Sequence, residues 1–160
     1  MRCHWRLTAL MMIALLWQLI GCTSNSSTPT PNLHAQHERG LILFQSYCAT
    51  CHQHDGAGVA NSIPPLAGSP WVSGPDGRMI RIALQGLRGP VEISGVKFEL
   101  EMPGFGPMLR DEELAEVLSY VRQRFANAAT PISASRVAQV RAQTADRAEY
   151  WTAAELLAIP

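Results

Sequence analysis

The chain has 160 residues, 47% of them hydrophobic and 16% charged, with 13 basic residues balanced by 13 acidic ones. That composition suits one globular domain with a modest core and excludes an intrinsically disordered chain, while the lack of a basic excess argues against nucleic acid as a partner. Four cysteines are too few to staple a fold of this length, so each needs its own explanation.

The chain begins with a leader. Arg2 and Arg6 are followed by an apolar run from Leu7 to Ile20, which is too short to span a bilayer comfortably and ends in Leu19-Ile20-Gly21-Cys22. This ending resembles the lipobox of exported bacterial lipoproteins. The resemblance implies that residues 1–21 are a lipoprotein signal peptide, that cleavage precedes Cys22, and that Cys22 is acylated on sulfur and nitrogen. Thr23 in place of aspartate then favours the outer membrane over retention at the inner one. An ordinary signal peptide or an uncleaved anchor are the alternatives. Several acyl chains anchor stably, because each buried methylene contributes about 0.8 kcal/mol and one chain alone is marginal.

Residues 22–37 read as an acylated N-terminus and flexible tether. The run from Thr23 to Gln36 is polar, proline-spaced and without periodicity, a composition that does not pack. Its 14 residues would span roughly 20 Å as a flexible chain. Losing Arg2 and Arg6 with the leader would leave the rest slightly acidic.

Residues 38–126 are the expected folded domain. A first helix is predicted to open at His37 or Glu38, with Gly40, Leu41, Phe44 and Tyr47 at helical spacing. It leads directly into Cys48-Ala49-Thr50-Cys51-His52. Two thiols at this spacing meet the two vinyl groups of one haem, and the adjoining imidazole supplies the proximal iron ligand. A zinc site needs a second Cys/His pair at short spacing, and the only other cysteines are Cys3 and Cys22. A redox dithiol belongs at the start of a helix after a buried strand, whereas Cys48 follows helix and precedes a glycine-rich loop.

That loop, Asp55 to Ser69, carries the glycines and prolines of a segment wrapped against something flat. A proximal histidine usually donates its second ring N–H to an oxygen, and the Pro64 carbonyl is the favoured acceptor; the alternative is a solvated turn. Asp76 to Gln85 is a predicted helix, with Met79, Ile80, Ala83 and Leu84 on one face and Gly86 as its C-cap. Residues 91–98 alternate about Ser94-Gly95 and predict a small hairpin.

Met102 follows in Met102-Pro103-Gly104-Phe105. A thioether beside a proline-stiffened turn, 50 residues after His52, is where a sixth iron ligand is expected. Met108 in the same loop is its main rival. Met79 is explained by packing, and a histidine or an open position remain alternatives, although His54 is too near His52 to reach the opposite haem face and His37 reads as a solvated helix start.

The last helix of the domain is predicted over Asp111 to Phe125, with acidic residues in its first turn and Leu114, Val117, Leu118, Val121 and Phe125 in one stripe. Crossing it with the first helix would close the fold over the haem motif, with Gly40 permitting close approach. Residues 127–160 read as an accessory helical tail: Ser133 caps a helix running through Arg147, and Thr152 to Glu155 fits a capping box. A partner-docking tail or a mobile end are its alternatives.

CATCH, GAG, IPPLAGSPWV, QGLRGP, MPGF and DEELAEVLSYVR together resemble a class I monohaem cytochrome c domain, across about two thirds of the mature chain. The resemblance implies an all-α fold, three or more helices around one haem, with a short β-hairpin insertion and a helical C-terminal tail. It implies one covalently bound haem c, axial ligation by His52 and Met102, and relay of single electrons in the periplasm rather than catalysis. The stretch from Gly86 to Phe105 is similar to domains found beside or fused to dehydrogenases, oxidases and copper nitrite reductases, which are the expected redox partners. Arg110 departs from the Ser or Thr helix cap common in that family. Alternatives are a permanently held haem subunit of a dehydrogenase, nitrite reductase or oxidase, and a haem sensor or enzyme with an open sixth position.

Overall fold

The computed structural model describes residues 32–126 and 130–159. The expected signal peptide, Cys22, most of the tether and the first residues of the tail, 127–129, lie outside the described residues.

Helix α1 (Leu33–Tyr47) starts a turn ahead of its predicted position. The reason is Asn32, whose side-chain oxygen accepts the N–H groups of His34 (3.2 Å) and Ala35 (3.3 Å) and so caps the helix early. A single turn, α2 (Ala49–His52), follows Cys48, and a second short one, α3 (Pro70–Ser73), is capped by Ser69 with Pro70 in its first turn. Helix α4 (Asp76–Gln85) ends at Gly86, whose φ of +86° terminates it as expected.

Helix α5 (Asp111–Ala126) buries the predicted stripe together with Ala115 and Tyr120. Arg110 caps it without a hydroxyl. Its N–H donates to Glu113 Oε2 at 2.9 Å, and its carbonyl accepts the Leu114 N–H at 2.9 Å, so Glu113 reaches back to begin the helix.

Helices α1 and α5 make the principal helix pairing. Gly40 sits at the crossing, where a Cβ would lie 2.5 Å from the Glu116 carbonyl oxygen and 2.7 Å from Tyr120 Cβ. Beside it, Phe44 stacks in tilted contact with Tyr120 and Phe125, ring centroids 5.5 and 5.3 Å apart. Gly40→Ala must therefore push the helices apart, and it is expected to destabilise the haem-loaded protein by about 1–3 kcal/mol. A urea midpoint equal to wild type would show that the crossing tolerates a methyl group.

The fold is not all-α, contrary to the expectation from sequence. Strands β1 (Gly86–Ile93) and β2 (Val96–Pro103) form an antiparallel hairpin, registered from Gly86 opposite Pro103 to Ile93 opposite Val96. Ser94 and Gly95 make the turn with φ of +53° and +82°, the left-handed pair that a two-residue hairpin loop requires. The turn lies where the alternation put it, but the strands run well beyond residues 91–98. Gly86, Gly89 and Pro90 disguise the first half of β1 as turn sequence. Pro90 is tolerated because it shares parity with Arg88, whose N–H points away from β2, so the missing donor falls on the sheet's outer edge.

The tail packs on this frame. Helix α6 (Ala134–Gln143) is capped by Ser133 and buries Val137 and Val140 in the main core. It stops at Gln143 rather than at Arg147, because the Thr144 hydroxyl turns back onto the Val140 carbonyl (3.0 Å) and also accepts from Gln85 Nε2 (2.8 Å). Arg136 holds Asp76 through two bonds, at 3.1 and 3.2 Å, and this guanidinium keeps the Asp76 carboxyl below its usual range.

Trp151 then runs parallel to β1 as a rudimentary third strand. Its N–H donates to Gly86 O at 3.1 Å, and its carbonyl accepts the Arg88 N–H at 2.8 Å. Helix α7 (Ala153–Ala158) starts with the predicted Thr152–Glu155 capping box and buries Leu156 against Leu87 and Trp151.

Candidate functional site

The single turn α2 fixes Cys48, Cys51 and His52 as a unit, with the His52 N–H on the Cys48 carbonyl at 2.9 Å. Gln53, at φ +63°, ends the turn and sends the chain into the loop. Gly58 then folds that loop back on the histidine. Its N–H donates to His52 O at 3.0 Å, and at φ +68° a Cβ there would meet the Ile63 and Pro64 carbonyl oxygens.

This fold-back brings Pro64 O to 3.1 Å from His52 Nδ1. A carbonyl only accepts, so Nδ1 carries the proton and Nε2 keeps its lone pair. His52 is 9% exposed. Burial lowers its pKa, opposed by the Pro64 bond, so the imidazole is held in the neutral form in which it can ligate a metal.

Among the described residues Cys48 and Cys51 are free thiols, the first half-buried and the second exposed. Burial, helped by Cys51, pushes the Cys48 thiol up to about 11. The Cys48 thiol is therefore not an activated nucleophile. Nor is there, among the described residues, a cluster of three or more His, Cys, Asp or Glu side chains able to hold a metal ion by themselves.

All three motif residues line an apolar cavity of about 310 Å³, within the usual range for small-molecule sites. Met102 lines it as well, half-buried near the end of β2 and opposite Leu87 in register. The segment after Met102 is tied to the C-terminus of α4: Phe105 N–H donates to Ala83 O (2.8 Å) and Gly106 N–H to Leu84 O (3.0 Å). Helix-end carbonyls that would otherwise lack partners thereby anchor the methionine loop.

The rivals to Met102 are sorted by position. Met108 is 56% exposed and does not line the cavity. Met79 lines it from α4 but is 8% exposed and belongs to the main core. His54 is exposed and away from the lining, and His37 lies against the Tyr120 ring, centroids 5.1 Å apart.

Leu66, Trp71, Phe105 and Leu118 face the cavity, whereas Phe44 and Phe98 pack elsewhere. Sequence reasoning missed the wall formed by Leu87, Val91 and Ile93. Their odd-numbered alternation along β1 was the available signal.

Paired thiols, a neutral imidazole with an open Nε2 and a thioether around one apolar cavity form a donor set that fits haem c. Fold and site together define a c-type cytochrome domain. The chain belongs to the cytochrome c family: residues 35–121 match the family profile described as cytochrome C oxidase, cbb3-type, subunit III.

It is 35% identical over 118 residues to cytochrome c-552 of Thermus thermophilus, covering 68% of this chain and 78% of that protein. It is 32% identical over 125 residues to the cytochrome c subunit of the quinone alcohol dehydrogenase of Gluconobacter oxydans, covering 76% and 26% respectively. A third relative, the fructose dehydrogenase cytochrome subunit of Gluconobacter japonicus, is 36% identical over 111 residues, covering 64% and 22%. The chain thus spans about a quarter of the length of these dehydrogenase subunits. Its cofactor is covalently bound haem c, and its role is non-catalytic electron transfer.

Proposed function

We propose that this cytochrome is a lipid-anchored periplasmic relay in which Cys48 and Cys51 carry the haem as thioethers, His52 and Met102 are the axial ligands, and Cys22 bears the acyl chains. The observation that carries the ligand assignment is that His52 and Met102 line the same apolar cavity while Met108 lies outside it. Bound there, haem c supplies a reversible one-electron couple. Pro64 orients His52 through Nδ1, Met102 would supply a thioether ligand that favours a higher potential than a second histidine would, and the apolar wall would exclude water.

Electrons would pass from a dehydrogenase to a further redox protein such as a nitrite reductase or terminal oxidase. Support for a dehydrogenase comes from relatives named as cytochrome subunits of alcohol, fructose and gluconate dehydrogenases. The same relatives favour, as a second reading, a haem subunit held within such a complex. Co-purification with a dehydrogenase after mild detergent extraction distinguishes this reading from a free carrier.

The anchor is tested by growth with labelled palmitate. The wild-type chain is expected to be labelled and sedimented with membranes, and Cys22→Ser to be unlabelled and released. Equal membrane retention of both forms, or no label in wild type, removes Cys22 from the proposal.

A further inference from the structure

Arg141 on α6 is a tail residue that reaches the methionine loop. Its Nη1 donates to Gly106 O at 2.8 Å, its Nη2 to Leu109 O at 2.9 Å, and its Nε to Asp111 Oδ1 at 2.7 Å. One planar guanidinium thus joins two carbonyls of the loop after Met102 to the first residue of α5. The opposite side of this loop is held by Ala83 and Leu84, through the amides of Phe105 and Gly106. The segment is pinned between α4 and the tail, and α6 is itself fixed by the buried Val137 and Val140.

We propose that Arg141 is a positioning residue: it clamps residues 106–109 and thereby sets how readily the methionine side of the cavity opens. The proposal rests on Met102 being the sixth ligand only where opening is read as ligand exchange. The tail then acts on the haem site without touching it. Lysine cannot replace the clamp, because a single ammonium retains the attraction to Asp111 but lacks the fork that spans both carbonyls.

The test uses the full-length, haem-loaded protein and two readouts. Cyanide binding to the ferric form is followed by stopped flow, since an external ligand must wait for the methionine loop to open. Arg141→Ala is expected to bind cyanide about tenfold faster or more, as loss of charge-assisted hydrogen bonds implies, with Arg141→Lys intermediate. Amide hydrogen exchange should show lost protection at Phe105 and Gly106 while the middle of α5 stays protected. Val137→Ala on the same helix is the control, because it weakens tail packing without removing a loop contact.

If Arg141→Ala matches wild type in both readouts, or departs no further than Val137→Ala does, the clamp is refuted. Should Arg141→Ala fail to accumulate, Arg141→Lys decides by the same comparison. A wild-type ferric spectrum lacking the sulfur-to-iron charge-transfer band sinks the Met102 assignment instead. Amide exchange, which requires no iron–sulfur bond, still decides the clamp in that case.

Discussion

Cys51→Ala is expected to abolish normal double attachment of the haem. Cys48 caps the short turn that carries Cys51, and these two are the free thiols among the described residues, so no neighbouring thiol there can substitute for Cys51. Haem staining after denaturing electrophoresis should fall steeply, and the pyridine haemochrome of any pigment recovered should shift toward that of a single thioether. Cys22→Ser, outside the motif, should leave both measurements at wild-type values. An unchanged haemochrome in Cys51→Ala would remove the thioether assignment at that residue.

Met102→Ala should open the sixth position. The ferric protein is expected to lose its sulfur-to-iron band, the reduced protein to bind carbon monoxide rapidly, and the midpoint potential to fall by something of the order of 100 mV, a fraction of the roughly 0.8 V that axial ligation spans. Met108→Ala should do little by comparison, because that side chain points outside the cavity lining and is largely exposed. Loss of the band in Met108→Ala but not in Met102→Ala would reverse the assignment. Rapid carbon monoxide binding already present in wild type would favour a sensor or enzyme with an open iron.

The elements legible in the sequence were those whose start and stop signals are local. Helix α4 runs from Asp76 to Gln85 as its apolar face and Gly86 indicate, and Ser94-Gly95 marks the hairpin turn. The first half of β1 was hidden because Gly86, Gly89 and Pro90 carry the composition of a turn, and only pairing with β2 reveals them as strand. The early start of α1 was available in Asn32, but the polar run around it masked the cap.

The motif residues and the methionines could be named from residue type and spacing. Met102 is favoured among them for its proline-stiffened turn, but that Met79 also lines the cavity and Met108 does not depends on the packing of α4, β2 and the following loop. Arg141 left no sequence signal at all. Its three acceptors lie 30 to 35 positions away along the chain, and nothing in α6 distinguishes it from the neighbouring arginine, which grips Asp76 instead.

The outer edge of β1 has a further consequence. A two-stranded sheet offers unpaired backbone groups on each side, and an unprotected edge recruits strands from other molecules. Here Trp151 takes up Gly86 and Arg88 along that edge, and the next position of the same parity is Pro90, which has no N–H to offer an incoming strand. Glu99 and Glu101 are exposed on the paired strand. Copies of the protein can therefore collide without pairing along the β1 edge, and the cavity wall built on that strand stays private to each molecule.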